Sequence, residues 1–426
     1  MAKVVVLNVV GLTPALLKHA PRLQALGPPA PLTPPLPAVT CTSQATMLTG
    51  LAPRDHGIIG NGWYFRELNE VLFWRQSSRL VHGTKVWEEF RGRTANLFWW
   101  FNMATTAAIS VTPRPAYFAD GRKMPDVYSD PPEIGRELQR RHGPFPLFRF
   151  WGPLAGIEST RWIASAAIDV IRERDPDLAL VYLPHLDYDL QRHGPGGAAE
   201  QVRAVDAEAA RILDAAPGRK ALVVSEYGIT PVSGALHPNR ALRRAGLLEV
   251  IDNPVGELLD PARSRAFAVC DHQIAHVYTR DVGAARRALD GMGEIVDLAA
   301  AGLDHPRAGD LVLVAPKDRW FAYPYWTDDA RAPDFARTVD IHRKPGYDPC
   351  ELFNAMSPLG TAWTLLRKKL GFRALLETTP LDASIVKGSH GRLPDDPADG
   401  PLLLGNGDRP RAMAEVKAAI LGALAR

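Results

Sequence analysis

An alternation of short, continuously apolar runs with helical patterns constrains the fold of this chain more than any other sequence feature. Residues 3–10 form a β-branched run that is typical of a strand buried on both faces of a parallel sheet. Similar runs at residues 95–99, 178–183 and 221–225 are separated by helical patterns. This βαβ rhythm predicts an α/β fold with one doubly wound, mostly parallel sheet flanked by helices.

Length and local composition predict insertions in that sheet. A chain of 426 residues suits one large α/β domain with a substantial insertion, or two domains. Residues 64–153 are rich in aromatic side chains and proline, which indicates a lid or cap rather than core. We therefore assign residues 1–63, 154–240 and 380–426 to the core, and residues 64–153 and 241–379 to two insertions.

Charge and cysteine content narrow the expected partners and compartment. Fifty Lys and Arg against 47 Asp and Glu give a net charge of +3, which predicts no strong attraction to nucleic-acid polymers or membranes. Three widely spaced cysteines argue against a disulfide framework and favour a reducing, cytoplasmic compartment. No apolar stretch reaches the roughly 18 residues that a membrane span needs. The oligomeric state is not indicated.

The segment at residues 37–50, PAVTCTSQATMLTG, places several hydroxyl groups at the start of a predicted helix. Free backbone N–H groups at a helix start form an anion site. An alcohol such as Thr40 beside a bound phosphate is a candidate nucleophile for phosphoryl transfer. The alternative is that Thr40 or Thr42 simply caps the helix.

This segment resembles the nucleophile region of the type I phosphodiesterase and nucleotide pyrophosphatase branch of the alkaline phosphatase superfamily. In that pattern a Thr precedes a helix ending in Thr-Gly, and a His-Gly pair and a phosphate-holding Asn follow. The matching residues here are Thr40, Thr49-Gly50, His56-Gly57 and Asn61. The resemblance implies an alkaline phosphatase-like core, with Thr40 forming a phospho-threonine intermediate and Asn61 holding phosphoryl oxygens.

The resemblance also implies a divalent metal cofactor, commonly two zinc ions at the carboxyl edge of the sheet. Asp187 and His390 match ligand positions of the family, and Glu226 offers a carboxylate where the family has Asp. An apolar or amide side chain does not replace a carboxylate or imidazole ligand. The positions that depart from the family's ligand set are Val10, Gln191, Glu226 and Tyr227.

Further ligand-type side chains lie in predicted polar loops. Asp189 and His193 repeat the four-residue spacing expected after Asp187, two residues later. The remaining candidates are Asp340, His342, Asp271 and His272. Candidate anion contacts in the first insertion are Arg66, Arg75, Arg79 and Arg122.

Three functions remain open at this stage. The first, which the resemblance favours, is a metal-dependent hydrolase of phosphodiester or pyrophosphate bonds, similar to the phosphodiesterases and nucleotide pyrophosphatases of the family. The second is a catalytically altered or inactive member that binds a phosphorylated metabolite. The third is a phosphoryl transferase or mutase that acts on a small metabolite. All three predict a phosphorylated small molecule as the partner.

Overall fold

A computed structural model describes residues 2–90, 92–119, 123–405 and 409–425. Across these residues the largest sheet has eight strands. Five adjacent strands in its centre run parallel to one another, and the three strands at the edges form antiparallel pairs with their neighbours. The prediction of a mostly parallel α/β fold is therefore confirmed. In spatial order the strands are Ala30–Pro31, Leu402–Gly405, Lys220–Val224, Val4–Val9, Leu178–Leu183, Thr94–Leu97, Ile109–Pro113 and Val127–Asp130.

The strand Val4–Val9 lies in the interior of this sheet, and all six of its residues are buried. It pairs in parallel with Leu178–Leu183 on one side and with Lys220–Val224 on the other. A strand that is buried on both faces has apolar residues at nearly every position, which explains the near-continuous apolar run in the sequence. The carboxyl ends of these three strands meet at one edge, so the residues after each strand become neighbours in space.

Helices pack against the sheet around one continuous apolar core. Ile157–Arg174 contacts Leu178–Leu183, and Val416–Ala425 contacts Val4–Val9. The α-helices of the described residues are Pro21–Gln24, Thr40–Thr49, Pro53–His56, Val86–Phe90, Pro132–His142, Leu147–Phe150, Ile157–Arg174, His185–His193, Ala199–Asp214, Pro238–Arg244, Val282–Ala288, Pro358–Lys369 and Val416–Ala425. Across the described ranges, none is long and apolar enough to cross a membrane.

A second sheet lies within residues 241–379. It is antiparallel, with spatial order Ala266–Asp271, Ile274–Thr279, Leu311–Val314 and Glu294–Val296. The tight turn between its first two strands carries His272 in a left-handed conformation, with φ of 60°. The backbone N–H of Gln273 in this turn donates to the carbonyl of His390 at 2.8 Å. This part of the chain therefore reaches the edge of the main sheet.

Short two-stranded ribbons complete the fold. The ribbon pairs are Gly62–Phe65 with Glu70–Phe73, Ala116–Tyr117 with Lys123–Met124, Thr230–Pro231 with Gly388–Ser389, Gly234–Leu236 with Arg319–Phe321, and Val250–Asn253 with Gly256–Leu259.

The structure differs from the sequence prediction for residues 64–153, which we expected to form a lid or cap rather than core. Two strands of the main sheet, Ile109–Pro113 and Val127–Asp130, and the helix Pro132–His142 lie there. The prolines occupy positions that tolerate them, because Pro113 ends a strand and Pro132 begins a helix. A high proline content therefore marked element boundaries rather than an absence of elements.

Two local predictions are also wrong. Thr13-Pro14 matches the pattern of a helix start, with Thr at the cap and Pro in the first turn, and therefore predicts a helix there. The structure instead has a turn followed by the 3₁₀ helix Leu17–His19, and the Thr13 hydroxyl accepts the backbone N–H of Leu16. The polar segment after Leu178–Leu183, expected to be a loop, forms the helix His185–His193. One face of this helix, which includes Asp187 and Gln191, is buried, and Asp189 and His193 lie on the more exposed face.

Candidate active site

Thr40 is the first residue of the buried helix Thr40–Thr49, which ends at Gly50 in a left-handed conformation. Val39 occupies the N-cap position, and no side chain caps the helix. The capping alternative is therefore wrong for Thr40 and for Thr42. The Thr40 hydroxyl instead lies 2.9 Å from the hydroxyl of Tyr227, on the floor of a cleft of about 330 Å³.

Tyr227 links Thr40 to Asp187. The Tyr227 hydroxyl donates its hydrogen to Asp187 Oδ1 at 3.1 Å, so the contact between Thr40 and Tyr227 requires Thr40 to donate. Asp187 Oδ2 accepts a hydrogen bond from Gln191 Nε2 at 2.9 Å. Gln191 Oε1 accepts in turn from the hydroxyl of Tyr347 at 2.8 Å. These side chains form one continuous hydrogen-bonded chain from the floor of the cleft into the core.

Glu226 lies beside this chain and is held by neutral donors. Its Oε1 accepts from Asn8 Nδ2 and from Gln44 Nε2, each at 2.6 Å. Its Oε2 is buried and has no partner. Asn8 comes from the central strand, where it is paired with Val224 at the end of the neighbouring strand. Burial is the main cause that raises the pKa of Glu226 to about 8, so its neutral form is favoured.

His390 reaches the site from the short strand Gly388–Ser389. Its Nδ1 donates to the carbonyl of Ala38 at 2.9 Å. Its Nε2 has no hydrogen-bond partner and lies 3.6 Å from Asp187 Oδ1. The imidazole stacks on the Tyr227 ring at 3.6 Å and lies 3.7 Å from the His272 ring. Burial lowers the pKa of His390 well below its ordinary value, which favours the neutral ring.

Asn61 and Asp271 connect the start of the Thr40 helix to the second sheet. Asn61 Oδ1 accepts from the backbone N–H of Cys41 at 2.9 Å, and Asn61 Nδ2 donates to Asp271 Oδ1 at 3.0 Å. Burial raises the pKa of Asp271 to about 6. The neighbouring His272 contacts the Asp271 carboxylate through Nδ1 at 2.8 Å. One helix-start N–H group is thus already occupied by Asn61.

Three other candidate ligands, Asp189, His193 and Asp340, lie away from this cluster. Asp189 and His193 pair with each other at 3.9 Å, and the His193 side chain is 67% exposed. On a helix, positions two residues apart face different directions, so Asp187 and Gln191 point inward while this second pair points outward. The Asp340 side chain lies near two basic groups, those of Lys123 and Arg343. Its backbone N–H donates to Glu351.

The cleft is lined by residues from several distant parts of the chain. Aromatic side chains line its walls, together with His342 and Arg114. The aromatic residues are Trp74, Trp100, Tyr117, Phe150, Trp151, Tyr182, Tyr188, Tyr227 and Tyr347. Of the candidate arginines, Arg75 lines the cleft, Arg66 lies over the Tyr278 ring, Arg79 lies in the 3₁₀ helix Ser78–Leu80, and Arg122 is outside the described residues.

The residues present do not fit a metal centre of the kind that the resemblance implies. Tyr227 places a neutral hydroxyl between Thr40 and Asp187, and burial raises the pKa of that phenol well above its ordinary value. Gln191 supplies a donor N–H, not a lone pair, to Asp187. Over the part of the chain that the structure describes, no group of three or more His, Cys, Asp or Glu side chains is arranged to hold a metal ion.

The buried carboxyl groups make stability depend on pH. With EDTA present, the part of the free energy of unfolding that Asp187 and Glu226 contribute should fall as the pH rises from about 4 to about 8, because each carboxyl keeps a proton in the folded state that the unfolded chain releases. The stabilisation is complete below the ordinary carboxyl pKa and is lost as the pH rises through about 7 for Asp187 and about 8 for Glu226. Each group contributes up to about 1.4 kcal/mol per pH unit.

Urea unfolding of the Glu226→Gln variant across this pH range measures the contribution of the Glu226 carboxyl alone. Its stability relative to the unsubstituted protein should increase with pH up to about 8, because glutamine does not titrate. The exposed substitution Glu133→Gln serves as the matched control and should leave the curve unchanged. Parallel curves for the unsubstituted protein and Glu226→Gln would contradict the burial argument.

Comparisons with known proteins agree with the fold. The family described as type I phosphodiesterase / nucleotide pyrophosphatase matches residues 4–348. The comparison with curated proteins gives no match.

Solved structures of other proteins align with almost the whole of this chain. Murine ectonucleotide pyrophosphatase/phosphodiesterase 5, in an inactive form with AMP, is 13% identical, with a TM-score of 0.59 over 100% of this chain and 95% of that chain. Phosphonoacetate hydrolase from Sinorhizobium meliloti 1021, in complex with phosphonoformate, is 14% identical, with a TM-score of 0.61 over 99% and 96%. At these identities the likeness concerns the fold.

Proposed function

Because the chain belongs to the type I phosphodiesterase / nucleotide pyrophosphatase family, whose members hydrolyse phosphodiester and pyrophosphate bonds, we propose that its cleft binds a phosphorylated small molecule with the phosphate directed at Thr40. We further propose that this chain is an altered member of the family, in which a hydrogen-bonded site without metal ions replaces the two-metal centre. The bridging Tyr227 hydroxyl is the observation that carries the proposal.

The charge balance around Thr40 supports the proposal of a site without metal ions. In the resembled family, two cations offset the buried carboxylates and the charge that develops on the phosphoryl group. Here burial raises the pKa of Asp187 to about 7 and that of Glu226 to about 8, which favours protonated carboxyls at positions where the family has cations. A neutral floor accommodates a phosphate group but does little to stabilise the additional charge of a transition state.

The walls of the cleft indicate the kind of ligand. Aromatic rings such as Trp74, Trp100 and Trp151 offer stacking surfaces, and Arg75 and Arg114 supply positive charge at the same cleft. A phosphate ester with an aromatic or apolar group matches this combination. A nucleotide is one such ester, and a structural neighbour was solved with AMP. The three free and buried cysteines support a reducing, cytoplasmic setting as part of this proposal.

The p-nitrophenyl ester of thymidine monophosphate tests the proposal directly. Calorimetry should show binding to the protein, and release of nitrophenol should stay at background with or without added zinc or EDTA. Zinc-stimulated turnover that EDTA removes would overturn the proposal and favour the metal-dependent hydrolase. Protein purified without chelator should contain far less than one equivalent of zinc, manganese or iron by mass spectrometry.

A second candidate function, metal-free phosphoryl transfer, is favoured by the chain from Thr40 through Tyr227 to Asp187. In this reaction the Thr40 oxygen attacks phosphorus, its proton passes to Tyr227, and the Tyr227 proton passes to Asp187. The bond from phosphorus to the ester oxygen breaks, and the leaving group departs as an alkoxide that takes a proton from water. The phosphoryl group then moves from Thr40 to an acceptor alcohol or to water. The first step requires ionised Asp187, so its rate should rise with pH through about 7.

The variant Thr40→Ala distinguishes the two candidates. Turnover that resists EDTA, disappears in Thr40→Ala and falls at least tenfold in Tyr227→Phe identifies the transfer reaction, because both hydroxyl groups relay the proton. The matched control is Thr42→Ala, which removes a buried hydroxyl without a partner two residues along the same helix. Equal turnover in Thr40→Ala and Thr42→Ala would eliminate Thr40 as the nucleophile.

A further inference from the structure

The helix Pro358–Lys369 projects from the protein body. None of its residues is buried. The segment leaves and rejoins the body at a neck, where the backbone N–H of Ala355 donates to the carbonyl of Thr378 at 2.7 Å. Thr378 and Thr379 are buried, and the Thr379 N–H donates to Arg337. Residues 356–377 therefore form an excursion on an anchored base, which we name the projecting segment.

Large apolar side chains form one stripe along this helix. Leu359, Trp363, Leu366 and Leu370 are spaced at i, i+4, i+7 and i+11, which places them on a single face. Their exposed fractions are 84%, 61%, 46% and 66%. A helix of this length without tertiary packing is marginal in water, and a contiguous apolar face of this kind marks an interaction surface.

The charges around the stripe identify its partner. The projecting segment carries four exposed basic residues, and no acidic residue lies between Glu351 and Glu377. Arg367 and Lys369 flank the stripe on its two sides. The basic residues are Arg367, Lys368, Lys369 and Arg373. A second copy of the same segment would bring like charges together, whereas a negatively charged surface complements them.

We propose that the projecting segment docks this protein on the surface of an anionic lipid bilayer. An apolar face with Trp and Leu, flanked by Lys and Arg, is typical of helices that lie in the plane of the membrane interface. The long stems of Arg367 and Lys369 allow their charged groups to reach lipid phosphates while the stripe contacts acyl chains. At 12 residues the helix is too short to span the bilayer.

The neck brings this surface close to the cleft. Glu351 lies a few residues before it and accepts a hydrogen bond from Trp151 Nε1 at 2.5 Å. Trp151 lines the cleft that contains Thr40. Docking would hold the cleft wall near the lipid surface. The inference depends on the exposed stripe and its charges, and it does not depend on the function proposed for the cleft.

Flotation with lipid vesicles tests the inference on the full-length protein. The protein should float with vesicles of phosphatidylcholine and phosphatidylglycerol, should stay behind with phosphatidylcholine alone, and should dissociate as salt is raised. The stripe variant, Trp363→Glu, should weaken binding at least tenfold. The matched control is Leu365→Glu, which adds the same charge on the same helix at a position off the stripe that is 50% exposed.

Two further measurements make the result decisive. The pair Arg367→Gln and Lys369→Gln leaves the stripe intact and should also reduce flotation, with a weaker dependence on salt. Circular dichroism should show an unchanged fold in every variant, because the substituted residues are exposed. No flotation with phosphatidylglycerol, or equal flotation of the stripe variant and Leu365→Glu, would overturn the inference. The inference would also be overturned if the protein bound no vesicles and instead formed a dimer that the stripe substitution dissociates.

Discussion

Restoring the ligand positions of the family is expected to create a site that retains zinc through dialysis. The four-residue variant carries Val10→Asp, Gln191→His, Glu226→Asp and Tyr227→His. The substitutions remove the phenol that bridges Thr40 and Asp187 and supply carboxylate and imidazole ligands beside the retained Asp187 and His390. Saturating zinc at about 100 times the dissociation constant should stabilise the variant by about 2.7 kcal/mol.

Metal content by mass spectrometry and thermal unfolding with and without zinc measure this effect. Adding Asp187→Asn to the same variant provides the control, because it removes a retained ligand without changing the rest of the site. Val10→Asp alone should destabilise the protein, since it buries a carboxylate that has no cation beside it. Stoichiometric zinc in the unsubstituted protein, or no gain of zinc in the four-residue variant, would contradict the account of the altered site.

Replacing Lys344 by methionine is expected to lower the free energy of unfolding by about 3–5 kcal/mol. The Lys344 side chain is 1% exposed, and its Nζ lies 2.7 Å from Asp348 Oδ2 and 2.7 Å from Glu351 Oε1. The Glu351 side chain is 1% exposed and that of Asp348 is 9% exposed, so removing the ammonium group leaves their charges without a cationic partner. Methionine has a similar length, which separates the loss of charge from the loss of volume.

Urea unfolding at neutral pH measures this change. The matched control is Arg22→Met, which breaks an exposed pair with Asp214 and should cost no more than about 1 kcal/mol. Combining Lys344→Met with Glu351→Gln and Asp348→Asn should recover part of the loss, because no uncompensated charge then remains. A change of less than about 1 kcal/mol in Lys344→Met would show that water or local rearrangement reaches these carboxylates.

The strands of the main sheet were predictable because burial imposes a local pattern. Leu178–Leu183 has the bounds expected from its apolar run, and Val4–Val9 differs from the prediction by one residue at each end. We expected one site to contain Thr40, Asp187, Glu226 and His390, because the segments that carry them were predicted to meet at one edge of the sheet. The structure places all four around Tyr227 or its immediate hydrogen-bond neighbours.

The structure brings only some of the alternative ligand residues to the site, for a reason that no local pattern contains. Asp189 and His193 have suitable spacing, but the segment is a helix whose inward face is set by Asp187 and Gln191. Asp271 and His272 do reach the site, although they come from the second sheet, more than 200 residues after Asn61. Their arrival depends on the turn between two antiparallel strands, which spacing along the chain does not reveal.

The sequence by itself determined the architecture and the residue types available for chemistry, because periodic burial and strand ends are local properties. The sequence also showed that several family ligand positions had changed. Only the tertiary structure decided how those changes act together: Tyr227 joins Thr40 to Asp187, while Asn8 and Gln44 hold Glu226. Hydrogen bonds between residues far apart in the chain depend on three-dimensional placement to within a few tenths of an ångström, and residue order alone does not specify that placement.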